Sequence, residues 1–267
     1  MRLRWLVLLP FIIGLFISCG NDNRAGKQTI TIAGSTSVMP FTEKLAEHFM
    51  VDARNTTVDV QGGGSTAGIQ AVLNRTVDIG MSSRELKDDE KVLNKIVICH
   101  DGIAVVVHRD NPVTALTLDQ IRGIFSGSIA NWRQLGWMDR KIDAVSREEG
   151  SGTRGAFEEL VMKDKEINDG TMVQDSNGSV KEVVATDPYA IGYISMGLVD
   201  KKVKPVAING ITPSLKNIKS GRYRIVRPFL YLSNGPLNQR AKAFVDYVLS
   251  KDGQHILKSE GLVGVND

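Results

Sequence analysis

Short runs of β-branched and apolar residues alternate with longer segments of helical periodicity along most of the chain. In the first half, the predicted strands cover residues 29–33, 57–61 and 77–81, and the predicted helices cover residues 40–53 and 66–74. Phe41, Leu45 and Phe49 fall on one face of the first helix, as expected of a helix packed against a sheet. Strands that alternate with helices are typical of a mainly parallel sheet with helices on both faces.

The second half repeats this alternation. Its predicted strands cover residues 102–108, 142–145, 191–194 and 228–232, and its predicted helices cover 118–125, 154–162 and 179–185. The chain ends in an amphipathic helical segment whose apolar face consists of Leu237, Ala241, Phe244, Val245, Val248 and Leu249. We therefore predict an α/β protein built from two modules.

The N-terminus has the pattern of an export signal. Arg2 and Arg4 precede an apolar stretch over residues 5–17, which is shorter than the roughly 20 apolar residues that span a bilayer. The stretch runs into Phe16-Ile-Ser-Cys19-Gly, which resembles a bacterial lipobox with Cys19 as the lipidated residue. We predict a signal peptide at 1–18 and a palmitate-carrying, lipid-anchored tether at 19–27. A plain signal peptide cleaved nearby is the alternative.

Charge and cysteine content narrow the classes of partner. Loss of Arg2 and Arg4 lowers the formal charge from +3 to +1, which gives no reason to expect a nucleic acid or an anionic membrane surface as partner. With Cys19 lipidated, Cys99 is the remaining thiol, so no internal disulfide is predicted. Cys99 lies in an apolar run and is predicted to be a buried core residue.

Three segments share one design, in which a strand leads through Gly, Ser and Thr residues into a helix. They lie at residues 33–37, 62–66 and 150–153. The unpaired N–H groups at a helix N-terminus favour anions, and small residues let an oxyanion approach them closely. One such turn is more often a simple helix cap. Three of them, each after a strand, can converge at one edge of a sheet and predict an anion site.

Arg147 and Ser83 add to this prediction. Arg147 comes shortly before the third turn, and its guanidinium can make two charge-assisted hydrogen bonds to an oxyanion. The alternative is a surface arginine paired with Glu149. Ser83 follows the strand at 77–81, and a capped turn there is an equally good interpretation.

Two other classes of function are alternatives to anion binding. An enzyme is disfavoured, because none of the four histidines falls in a recognisable Ser/His/Asp arrangement and residues 150–153 lack the lysine of a phosphate-binding P-loop. Cys99 and His100 are adjacent, but neighbouring strand residues point to opposite faces, so we predict no metal site. A surface adhesion protein with a structural anion site remains an alternative.

Several motifs together resemble those of the periplasmic phosphate-binding proteins of ABC transporters. They are Gly34-Ser-Thr-Ser37, Gly62-Gly-Gly-Ser-Thr-Ala-Gly68, Asp78-Ile-Gly-Met-Ser-Ser83, Phe125-Ser-Gly-Ser-Ile-Ala-Asn-Trp132 and Arg147-Glu-Glu-Gly-Ser-Gly-Thr153. The resemblance runs from about Thr29 to the C-terminus. It implies a two-lobed type II periplasmic-binding-protein fold, with each lobe a mainly parallel sheet flanked by helices and two crossings as a hinge. Lobe 1 would cover residues 28–108 and 226–267, and lobe 2 residues 109–225, with crossings near 108–112 and 224–228.

The resemblance also implies a function and a set of binding residues. The protein would be a non-enzymatic, monomeric lipoprotein that captures inorganic phosphate without a cofactor and passes it to the permease and ATPase complex of an importer. The implied phosphate ligands are Thr36, Ser37, Ser65, Ser83, Arg147, Ser151, Gly152 and Thr153. Ser83 stands where well-known members have an acidic residue that accepts the proton of hydrogen phosphate, and a serine hydroxyl can accept or donate. Discrimination against sulfate is therefore expected to be weaker than with an acid.

Overall fold

The computed structural model describes residues 28–267. The predicted signal peptide, Cys19 and the predicted tether lie outside the described residues. Within residues 28–267, no helix combines the length and the apolar composition that crossing a membrane requires.

Strands and helices alternate along the described chain. In chain order the strands are β1 (Gln28–Gly34), β2 (Thr56–Gly62), β3 (Ile79–Ser82), β4 (Asn94–His108), β5 (Ala115–Leu116), β6 (Asp143–Arg147), β7 (Met172–Gln174), β8 (Ala190–Ser195), β9 (Val203–Pro205), β10 (Ala207–Ile208), β11 (Val226–Ser233) and β12 (Val263–Gly264). The α-helices are α1 (Met39–Asp52), α2 (Ser65–Leu73), α3 (Leu118–Phe125), α4 (Gly152–Phe157), α5 (Asn177–Thr186), α6 (Leu215–Lys219), α7 (Gln239–Leu249) and α8 (Lys251–Ser259). The predicted α/β class is confirmed.

One long strand, β4, links two sheets. Its first part, up to Gly102, pairs with β11 and β12, and its second part, from Ile103, pairs with β8 and β9. The first sheet has the order β2-β1-β3-β11-β4, and the second continues from β4 through β8 and β6 to β7. Strands β1 to β3 are parallel to one another, as are β6 to β8, whereas β4 and β11 run antiparallel to their neighbours.

Each sheet packs against helices to form its own hydrophobic core. The first core, which defines lobe 1 here, contains Phe41, Phe229 and Phe244. The second, which defines lobe 2, contains Trp132 and the stacked rings of Phe157 and Tyr193, whose centroids lie 3.9 Å apart. Cys99 is fully buried in lobe 1, as predicted. The protein therefore has two lobes, each stabilised by burial of apolar side chains.

Local sequence signals explain where several elements begin and end. Helix α3 has the predicted bounds, because Thr117 caps its N-terminus and Gln120 completes a capping box. The predicted C-terminal helix corresponds to α7, which ends at Leu249, and a further helix that was not predicted, α8, follows it with Ser250 as its N-cap. The predicted helix at 154–162 begins earlier, at Gly152, and its last part is a π-helical turn over Glu158–Met162.

The strand predicted at 102–108 is the second part of β4, which begins at Asn94. Asp101 interrupts the apolar pattern in the middle of this strand, yet its side chain is fully buried. A buried carboxylate requires a partner, and Arg227 in β11 provides it.

Candidate functional site

Lobe 1 contributes three buried serine hydroxyls to one edge of its sheet. Ser37 lies in the turn between β1 and α1, Ser65 is the first residue of α2, and Ser83 directly follows β3. All three are at most 1% exposed. The Ser83 amide donates to the Ser65 hydroxyl at 3.0 Å, and the two hydroxyl oxygens are 3.5 Å apart. Two of the residues that the sequence singled out, Ser65 and Ser83, are therefore in contact.

Lobe 2 contributes an arginine and the start of a helix. Arg147 is the last residue of β6, and Gly152 and Thr153 are the first residues of α4. The Ser151 hydroxyl accepts the backbone N–H of Arg154 at 3.3 Å and so caps α4. Ser151 therefore fixes the start of the helix on which Gly152 and Thr153 lie.

The two groups of residues meet across the boundary between the lobes. The hydroxyl oxygens of Ser37 and Thr153 are 2.7 Å apart. Arg147 Nη2 donates to the Thr36 hydroxyl at 3.2 Å. A Cβ atom on Gly152 would lie 2.1 Å from the Ser65 hydroxyl oxygen, so only glycine permits this approach. The structure thus brings together residues that are far apart in the sequence.

Arg147 is nearly inaccessible to solvent and is held by several acceptors. Its side chain is 1% exposed and pairs with Glu148, through Nε at 3.1 Å and Nη2 at 2.9 Å. The carbonyls of Gln174 and Asp175 accept further hydrogen bonds. The alternative of a surface arginine paired with Glu149 is therefore wrong, because β6 directs this side chain inward and the neighbouring Glu148 pairs with it.

One nitrogen of this guanidinium remains unpaired. Among buried side-chain nitrogen and oxygen atoms of the described chain, Arg147 Nη1 is the one without a hydrogen-bond partner. Leaving a buried charged donor unpaired costs on the order of 1–3 kcal/mol or more. An anion bound between the lobes would supply the missing acceptor.

Sequence reasoning missed a second arginine at this site. Arg227, in β11, is 2% exposed, and it forms a buried ion pair with Asp101 at 3.0 Å. Burial raises the pKa of Asp101 and lowers the pKa of Arg227, while the attraction between the two charges opposes both effects. The available signal was a charged residue beside apolar runs in each of two strands, Asp101 in β4 and Arg227 in β11.

Asn177 and Ser195 were also missed. Asn177 Nδ2 donates to the Ser37 hydroxyl at 2.8 Å, and the Ser195 hydroxyl donates to Asp101 at 2.9 Å. Nothing in their sequence neighbourhood distinguishes them from ordinary helix-start and strand-end residues. The arrangement as a whole presents hydroxyl and guanidinium donors, and it is suited to binding a compact oxyanion rather than to activating a nucleophile.

The sequence of this chain is similar to those of known proteins. Residues 21–252 match the model of the PBP superfamily domain. The phosphate-binding protein PstS of Bacillus subtilis is 32% identical in an alignment of 285 residues, gaps included, that covers 100% of this chain and 95% of that protein.

Two crystal structures are similar over most of the chain. A putative phosphate ABC transporter substrate-binding protein from Clostridium perfringens, with bound phosphate, is 40% identical and has a TM-score of 0.87, covering 89% of this chain and 100% of that chain. An ABC-type phosphate transport receptor from Vibrio cholerae is 38% identical with a TM-score of 0.73, covering 88% and 99%.

Proposed function

Because this chain belongs to the PBP superfamily, and within it to the phosphate-binding proteins of ABC transporters, we propose that it captures inorganic phosphate between its two lobes. Its relatives are solute-binding proteins of transport systems, so the chain is a binding protein rather than an enzyme. The fold is the two-lobed type II periplasmic-binding-protein fold.

The observation that carries the proposal is the unpaired Nη1 atom of Arg147. It belongs to a guanidinium that already contacts Thr36 across the lobe boundary. A phosphate oxygen would accept from Nη1 in a site with little water, where a charge-assisted hydrogen bond is stronger than in solution.

The proposed phosphate ligands are the eight residues that the resemblance implies. Hydroxyl donors would come from Thr36, Ser37, Ser65, Ser83, Ser151 and Thr153, the backbone of Gly152 would approach the anion closely, and Arg147 would supply the charge. Support comes from the contacts among these residues across the lobe boundary. Arg227 stands behind Ser37 and Ser83.

Isothermal titration of the purified protein with phosphate tests the proposal. We expect one phosphate bound per chain, and no binding of nitrate, whose planar shape cannot use donors arranged around a tetrahedron. Failure of phosphate to bind after exhaustive dialysis would contradict the proposal, and binding only to a macromolecular partner would favour an adhesion role instead.

Export, lipid anchoring on Cys19 and delivery to an importer complete the proposed function. The apolar stretch at 5–17 and the lipobox-like residues 16–20 support the anchor. Mass spectrometry of the membrane-extracted protein should find diacylglyceryl-modified Cys19 at the new N-terminus, and Cys19→Ser should release the protein from the membrane. Phosphate uptake by cells lacking the protein should fall and should recover with the parent gene but not with an Arg147→Ala variant.

We further propose that phosphate binding closes the lobes about two crossings. The predicted lobe boundaries lie at 108/109 and 225/226, and β4 exchanges partners earlier, between Gly102 and Ile103. Contacts such as that between Ser37 and Thr153 would form only on closure, and closure strengthens polar contacts by excluding water. Small-angle scattering should show a smaller radius of gyration with saturating phosphate. An unchanged radius despite proven binding would indicate a rigid, preformed site.

A further inference from the structure

The ion pair between Arg227 and Asp101 lies directly behind the proposed phosphate site. The two residues stand opposite each other on β11 and β4. Arg227 Nε and Nη2 both donate to Asp101 Oδ2, at 3.2 and 3.0 Å, and Asp101 Oδ1 accepts from Ser195. Because both charged groups are buried, this geometry holds the guanidinium in one position.

The remaining N–H groups of Arg227 donate to two of the site serines. Nη1 donates to the hydroxyl and the carbonyl of Ser83, each at 3.2 Å, and Nη2 donates to the Ser37 hydroxyl at 3.1 Å. A hydroxyl has one hydrogen to donate and two lone pairs that accept. Arg227 therefore uses one of the two acceptor positions on each serine.

Other donors use the second acceptor position of each hydroxyl. The Ser35 hydroxyl donates to Ser83 at 2.8 Å. Asn177 Nδ2 donates to Ser37 at 2.8 Å, and the orientation of this amide is fixed because Asn177 Oδ1 accepts the Ser195 N–H at 3.0 Å. Each serine is left with only its own hydrogen to donate. That of Ser37 is directed to the Thr153 hydroxyl, 2.7 Å away, and that of Ser83 can be donated to a ligand. Ser83 is therefore not the interchangeable donor or acceptor that the sequence suggested.

We propose that Arg227, held by Asp101, is a specificity-determining residue that fixes Ser37 and Ser83 as hydrogen-bond donors and makes the site selective for dianionic tetrahedral oxyanions, sulfate included. The inference rests on the proposed function, since it concerns the anion bound in the same cleft.

The number of protons on the anion decides how well it fits. HPO₄²⁻ carries one proton, and the Thr153 hydroxyl keeps one lone pair free when Ser37 donates to it. H₂PO₄⁻ carries two protons, and the second would face the hydrogen of Ser83. Sulfate carries none, and a hydroxyl at Thr153 can turn to donate where a carboxylate would repel.

Several titratable groups surround the ion pair, so the test must separate their protons from those of the ligand. Arg147 lies on the opposite side of the site, and its charge also acts on Arg227. Burial raises the pKa of Tyr193 to about 12 and raises the pKa values of Tyr223 and Cys99, which both lie near Asp101. Protonation of any protein group would alter the binding of sulfate as well as phosphate, whereas ligand protonation alters phosphate binding alone.

Calorimetric titration of the native protein with phosphate and with sulfate, from about pH 5.5 to about pH 8.5, tests the proposal. The second ionisation of phosphate lies near neutral pH, at about 6 for phosphate esters. Below it, we expect phosphate affinity to fall about tenfold per pH unit, while sulfate affinity changes less than about threefold and stays within about a hundredfold of that of phosphate at high pH.

A phosphate affinity that does not change over this range, together with no sulfate binding at millimolar concentration, would overturn the inference. Absence of binding by both anions would overturn the proposed function together with it. If sulfate affinity changed with pH in parallel with phosphate affinity, the pH dependence would belong to a protein group, and the inference would also be overturned.

A paired variant assigns the effect to Arg227. The double substitution Arg227→Gln/Asp101→Asn removes both charges, so Ser37 and Ser83 can again accept, and the tenfold slope for phosphate should shrink to less than about threefold. The matched control is Arg84→Gln/Glu90→Gln, which removes another buried ion pair, with N–O distances of 2.7 and 2.8 Å, and should keep the slope. A full slope in the Arg227 variant would overturn the assignment; if that variant does not fold, the native titration decides.

Discussion

The two lobes each bring a buried arginine to the cleft, and the two arginines are used differently. Arg147, from lobe 2, pairs with Glu148, which is partly exposed, and leaves Nη1 unpaired. Arg227, from lobe 1, pairs with the fully buried Asp101 and directs its other N–H groups to protein oxygens. One arginine therefore keeps an N–H group available for a ligand, whereas the other sets the hydrogen-bonding direction of two hydroxyls.

The largest expected effect is on the stability of the fold, to which Arg227 should contribute through its ion pair with Asp101. Arg227→Met leaves Asp101 buried without a counter-charge, which should lower the free energy of unfolding by about 3–5 kcal/mol. Adding Asp101→Leu should recover most of the lost stability, because an apolar pair of similar volume leaves no buried charge without a counter-charge. Urea denaturation measures both. An Arg227→Met protein as stable as the parent would show that the pair does not contribute to folding.

The next largest expected effect is on phosphate affinity, to which Arg147 should contribute. Arg147→Ala removes the charge proposed to contact phosphate and should weaken binding by about 2–5 kcal/mol, which is more than tenfold. Calorimetry measures the change, with the exposed Arg133→Ala as the matched control, since Arg133 pairs only with Asp139 on the surface. If the variant bound phosphate within about threefold of the parent, Arg147 would not be a phosphate ligand.

Gly152→Ala tests the close contact between the two lobes. The added Cβ would lie 2.1 Å from the Ser65 hydroxyl oxygen and 2.6 Å from that of Ser83. Overpacking of this kind costs about 1–3 kcal/mol, so phosphate affinity should fall about tenfold. Gly178→Ala is the control, because its Cβ would meet only the Ser176 hydroxyl at 3.7 Å. Equal affinities for the two variants would mean that this contact is not needed for binding.

The smallest effect concerns the hydroxyl contact across the cleft. Thr153→Val keeps the shape but removes the oxygen that lies 2.7 Å from the Ser37 hydroxyl. The loss of one neutral hydrogen bond should weaken phosphate binding by about 0.5–1.5 kcal/mol. Thr186→Val, whose hydroxyl bonds only within α5, should bind phosphate as the parent does. A loss larger than that of Arg147→Ala would reverse the order of importance argued above.

Periodicity and turn residues predicted the α/β class, most elements and the turns that meet at the candidate site. Helix α3 has the predicted bounds because its capping residues are local in the sequence. Arg227 and Asp101 were missed because their pairing depends on strand register between residues far apart in the chain. Arg147 shows the same distinction: its charge is visible in the sequence, but its pairing with Glu148 rather than Glu149 depends on the course of the chain after β6 ends at Arg147.

The position of β11 in the first sheet has a consequence for the order of folding. Strand β11 lies between β3 and β4, although it follows them by more than a hundred residues. Until residues 226–233 leave the ribosome or the export channel, β3 and β4 have no neighbour in common, whereas β6 to β8 can already pair. Contacts of such long sequence separation form late and slowly. Chains truncated before residue 226 should therefore keep a nascent lobe 2 and remain targets for chaperones and proteases through their unfinished lobe 1.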